Sequence, residues 1–88
     1  MEVIIKGSLI KNIDDFHKTI KRQLNFPDYY GENLDALWDC VRCIDPPCSV
    51  IWEDHKLSRE YLSVYFDKIR ELFDEAEMKV EEFKIVYK

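Results

Sequence analysis

The chain is poor in the residues that loosen or break a fold: its 88 residues include only two glycines, Gly7 and Gly31, and three prolines. With 47% hydrophobic and 14% aromatic content, that scarcity excludes a linker or a disordered tail. Long apolar runs are also missing. "MEVIIKGS" has neither the basic flank nor the extended apolar stretch of a secretory signal, so a cytoplasmic protein without a membrane partner is expected. Cysteine is sparse and odd in number, and Cys40, Cys43 and Cys48 do not form a disulfide framework. Basic charge is short as well. A net charge of -5 argues against nucleic acid, because phosphate binding needs a basic stripe. A chain this short supports one core, so residues 1–88 are expected to form one domain.

What is present is unevenly placed. Residues 1–24 carry Lys6, Lys11, Lys18, Lys21 and Arg22 against Glu2, Asp14 and Asp15. Residues 28–39 carry Asp28, Glu32, Asp35 and Asp39 with no cation, and the next one is Arg42. Tyr29, Tyr30 and Trp38 lie within the same stretch. A concentrated negative field suits a basic partner.

Hydrophobic spacing predicts the elements. "VIIK" (3–6) reads as a strand ended by Gly7. Ile13, Phe16, Ile20 and Leu24 recur at helical spacing, with Asn12 or Asp14 as cap and Pro27 as stop. Gly31 is expected to turn the backbone into a second helix near 33–43, capped by Asn33. "SVIWE" (49–53) and "FKIVYK" at the end read as strands. Between them a broad apolar stripe from Leu62 to Ala76 predicts either one helix or two, with any break near Ser63 to Asp67. Strands joined by helical crossovers imply a small parallel sheet with packed helices, an α/β fold.

On the second helix Leu34, Leu37 and Val41 share one face, which a core explains. Asp35 and Asp39 lie one turn apart on another, with Arg42 beside them and Trp38 on the border. A like-charged i,i+4 pair destabilises a helix slightly, and the helix N-terminus offsets this for Asp35 more than for Asp39. Neither effect accounts for the aromatics alongside. Solvated carboxylates are the bland explanation; an anionic recognition surface is the sharper one, since carboxylates can replace phosphates opposite arginine and lysine.

Other chemistry finds less support. Cys40, Cys43, Cys48 and His55 invite zinc, but the predicted strand separates Cys48 from His55 by roughly 20 Å, too far for one tetrahedral site. There is no phosphate-binding glycine loop and no nucleophile elbow. Asp35 with Asp39 would act as acid and base only inside a cleft, which a convex helix does not supply. His17 is expected at the surface or partly packed, and His55 at a solvated strand end. Neither catalysis nor a metal or other cofactor is expected.

"YYGENLDALWDC" (29–40) resembles the signature segment of the barstar family, intracellular inhibitors of a small secreted ribonuclease. The likeness is nearly continuous over "DFHKTIKRQLNFPDYYGENLDALWDC" and extends to the length, the second strand and the acidic last helix. The resemblance implies a three-stranded parallel sheet with three to four packed helices. It implies a non-enzymatic protein, monomeric when free, that plugs the active site of a small basic ribonuclease one to one. By resemblance Tyr29, Leu34, Asp35, Trp38 and Asp39 match the enzyme-contacting residues, with Asp39 central, and Glu75 matches an acidic contact on the last helix. With Gly31, Asn33, Arg42 and Ile44, these make up the expected partner-binding set. The chain departs from the family at one edge. Cys43 and Ile44 stand where the family has a glycine and an exposed aromatic, and "CIDPPCS" is one residue shorter. That edge leaves open an acidic binding module on the same scaffold whose basic partner is not a ribonuclease.

Overall fold

A computed structural model describes all 88 residues, Met1–Lys88. The β-branched run forms strand β1 (Glu2–Lys6), followed by a short 3-10 turn at Gly7–Leu9. Helix α1 spans Ile13–Gln23; of its two candidate caps Asn12 is the one used, its side chain accepting from Asp15 N at 2.7 Å. Helix α2 spans Leu34–Arg42 and strand β2 spans Cys48–Glu53. Helices α3 (His55–Leu62) and α4 (Val64–Lys79) follow, and strand β3 (Phe83–Tyr87) closes the order.

The strands lie in the order β1-β2-β3, and both pairings are parallel. The fold is therefore the α/β arrangement expected, with four helices on a three-stranded parallel sheet. Strand alternation sends Val3, Val50 and Ile85, one register row, into the core. The next row inward joins Ile5 to Trp52 and Trp52 to Tyr87. No helix is long and apolar enough to cross a membrane.

Trp52 organises the interior. Its fully buried ring stacks on Phe16 at 5.4 Å and meets Phe66 edge-on at 5.2 Å. A buried indole must place its N–H, and Nε1 donates to Ser58 Oγ at 3.0 Å. Ser58 in turn donates to the Gly7 carbonyl at 2.9 Å, so one relay ties β2, α3 and the 3-10 turn together. Any side chain at position 7 would collide with the carbonyls of Glu53 and Asp54 and with Ser58 Oγ. Glycine is needed there for close approach.

The stripe from Leu62 to Ala76 is two helices. The junction is Ser63, held at φ 52° and ψ -128°, where any residue with a Cβ is strained and only glycine is at ease. No proline or glycine announces the break because a serine makes it.

Candidate protein-binding site

The site begins with a loop that two neighbouring tyrosines divide. Tyr30 is buried and Tyr29 is 87% exposed. Tyr30 is anchored by His17: its hydroxyl lies 2.6 Å from His17 Nδ1, while His17 Nε2 lies 2.7 Å from the Tyr65 hydroxyl. His17 is only 1% exposed, which corrects its expected place at the surface or only partly packed. Its partners come from the loop and from α4, and their separation in sequence hid them. Burial lowers its pKa below the ordinary 6.5, and Glu32 and Asp14 only partly oppose that shift. The same burial raises the pKa of Tyr30 and of Tyr65.

The entry into α2 also differs from the expected glycine turn. The left-handed residue is Glu32, at φ 52°, and neither glycine has a positive φ. Gly31 serves proximity: a Cβ there would crowd Asn33 Nδ2 at 3.2 Å, while its approach to Ala36 Cβ at 3.4 Å would be ordinary contact. Asn33 caps the helix, accepting from Ala36 N at 2.8 Å and donating from Nδ2 to the Gly31 carbonyl at 3.3 Å. The loop is thereby locked to the first turn of α2.

Leu37 and Val41 bury the inner face of α2 completely, which fixes the direction of the outer face. Asp35, Asp39 and Arg42 are exposed there, and Trp38 and Leu34 are half-buried at its margin. The molecule has four ion pairs, Asp14–Lys18, Arg59–Asp67, Arg70–Asp74 and Glu75–Lys79. None includes Asp28, Glu32, Asp35 or Asp39, so Arg42 does not neutralise its neighbours.

Helix α2 is a ridge between two clefts. One, of about 420 Å³, is lined by Tyr29, Asp39, Cys43 and Ile44 together with Leu24 and Phe26. The other, of about 650 Å³, lies between α2 and α4 and is lined by Leu34, Asp35, Trp38, Lys68, Glu71, Leu72, Asp74, Glu75, Met78 and Lys79. The fold thus brings seven of the ten expected residues to the two sides of one helix. Gly31 and Asn33 build its start, and Arg42 lines neither cleft.

The family model described as Barstar (barnase inhibitor) matches residues 1–88, the whole chain. The chain belongs to the barstar family. One relative of this barstar-family chain is a Bacillus subtilis (strain 168) protein named "Putative ribonuclease inhibitor YrdF". It is 40% identical over 87 residues, covering 97% of this chain and 96% of that protein.

In this barstar-family chain the cysteines and the second histidine have separate surroundings. Cys40 is half-buried, Cys43 exposed and Cys48 buried, and all three are free thiols. Burial raises the pKa of Cys40 and of Cys48. Strand β2 keeps Cys48 and His55 at opposite ends. His55 Nδ1 bonds the Lys88 carbonyl at 2.8 Å, and its ring lies 5.6 Å from that of Tyr87, so it braces a strand end rather than pairing with Glu53 or Asp54. Most other cleft residues escaped the sequence reading, Met1 and Lys79 among them. Met1 joins the first cleft through folding alone, but Lys79 stands four residues after Glu75, a spacing that "EAEMK" displays.

Proposed function

We propose that this chain inhibits a small basic ribonuclease, one to one, by laying the outer face of α2 into the enzyme's RNA-binding cleft. The observation that supports this best is the pair Asp35 and Asp39, exposed and without an internal cation on a helix whose inner face is fully buried. A cleft that holds an anionic backbone is walled with arginine and lysine. Carboxylates one helical turn apart, roughly 5–6 Å between Cβ atoms, offer it two anions on a scaffold that cannot be cleaved as RNA is. Asp39 takes the central place, with Tyr29 and Ile44 on one side and Leu34, Trp38 and Glu75 on the other.

The local structure lowers the ordering penalty of association. Gly31 and Asn33 lock the loop to the helix, and Tyr30 anchors it through His17, so little must be frozen on contact. Opposed fields also raise the association rate above the roughly 10⁵–10⁶ M⁻¹s⁻¹ of uncharged surfaces, and added salt lowers it.

The test is RNA cleavage by a panel of small basic secreted ribonucleases, with and without the purified protein. Stoichiometric inhibition of at least one, slower to form at high salt, is expected. No inhibition across the panel would overturn the proposal and favour the second reading, an acidic module for another basic protein. That reading draws on Cys43 and Ile44, whose cleft differs from the family's edge.

A further inference from the structure

Glu75 differs from the other carboxylates of the proposed surface, because it already holds a cation. Lys79 Nζ lies 2.6 Å from Glu75 Oε1, within one turn of α4 and along the cleft that Asp35 and Trp38 share. Both side chains are substantially exposed, and glutamate before lysine at i,i+4 is the favourable order on a helix. Asp35 and Asp39 have no such neighbour.

We infer that Lys79 is a specificity-determining residue, a built-in competitor that a partner's cation must displace from Glu75 or share it with. This rests on the ribonuclease reading above. The ammonium engages Oε1 and leaves Oε2 of Glu75 without a protein partner. Any incoming cation meets repulsion from Lys79, and a lysine, a compact and strongly hydrated point charge, must crowd the same oxygen to offset it. An arginine presents a planar fork of donors, reaches Oε2 from the side, and lays its methylene stem along Trp38, Leu72 and Met78. The α4 side of the surface therefore favours an enzyme that carries arginine at this place over one that carries lysine.

A double-mutant cycle tests this on a ribonuclease that the protein inhibits, with Lys79→Met removing the charge and keeping the stem, and Glu75→Gln removing the opposite charge of the pair. Lys79→Met is expected to tighten binding about threefold, from the lost intrahelical pair and the lost repulsion. In the Glu75→Gln background the same change is expected to give less than about 1.5-fold, because the intrahelical ion pair is already gone and only the screened repulsion is relieved. An unchanged or weaker complex with Lys79→Met, or an equal gain in both backgrounds, overturns the competitor role. Asp39→Ala on the same enzyme separates the two failures. If it weakens binding strongly while Lys79→Met does nothing, only the role of Lys79 falls. If Asp39→Ala also does nothing, the ribonuclease reading fails and the competitor role falls with it.

Discussion

Polar groups around His17 and polar groups along α2 lie close in sequence and follow opposite rules. In the interior every buried side-chain nitrogen and oxygen has a partner, and His17 uses both ring nitrogens. On the ridge, Asp35 and Asp39 have no internal partner at all. An unpaired buried polar group costs about 1–3 kcal/mol, so folding itself demands partners inside; outside, water satisfies the carboxylates and the fold is indifferent to them. Stability is thus concentrated in one region, and the charge left uncommitted in the other is free for a second molecule.

The sharpest way to break this contrast is to damage each region and read both properties. Trp52→Ala empties the centre of the core and is expected to lower unfolding free energy by about 3–5 kcal/mol, a large share of what a small domain has. Urea unfolding checks it, and partner affinity per folded molecule should stay unchanged. Asp39→Ala is expected to do the reverse. Its unfolding midpoint should stay within about 0.5 kcal/mol of wild type. Inhibition should weaken about a hundredfold or more, since a desolvated cation left opposite a missing carboxylate costs roughly 3 kcal/mol. Glu81→Ala, which removes an exposed carboxylate away from the ridge, should change neither quantity. Equal losses of inhibition from Asp39→Ala and Glu81→Ala would erase the distinction between the regions.

A smaller effect follows from His17. Because burial lowers its pKa, the unfolded chain takes up a proton more readily than the native one as pH falls. The contribution of the neutral ring is therefore complete above pH about 6.5 and is lost progressively below it, toward the lowered native value. Urea midpoints between about pH 5 and 8 should decline on the acid side in wild type and decline less in His17→Gln. The same slope in both proteins would show that the buried relay is not the group that titrates.

Most of the fold was legible because its signals are local. The strand runs, the helical spacing of Ile13 to Leu24, and the Asn33 cap are each set by residues within a turn or two, and the parallel sheet follows from the helices between the strands. The outer face of α2 was legible for the same reason: Leu37 and Val41 fix which side is buried, and Asp35 and Asp39 must then face away. His17 was not legible, since Tyr30 and Tyr65 approach it from 13 and 48 residues away. Nor was the role of Gly31, because sequence shows that a glycine is present but not whether φ or proximity requires it. The second cleft needed α2 and α4 side by side, which no spacing along the chain encodes.

The smallest expected effect concerns Ser63, which is exposed yet strained, and so belongs to neither region. Its φ of 52° and ψ of -128° are maintained because the flanking helices each have their own anchors: Leu62 in the core on one side, Phe66 and Ile69 on the other. The Ser63 amide still donates to the Arg59 carbonyl at 2.8 Å, and its carbonyl accepts from Phe66 N at 3.0 Å, so both backbone groups are satisfied and only the dihedral is costly. Glycine at this position relieves roughly 1–3 kcal/mol of strain and gives back part of that as unfolded-chain entropy. Ser63→Gly should therefore stabilise the fold by about 1 kcal/mol, raising Tm by about 4–8 °C in a thermal melt, with partner affinity unchanged. A lower Tm would mean that the serine side chain, and not the packing on either side, holds the junction between α3 and α4 together.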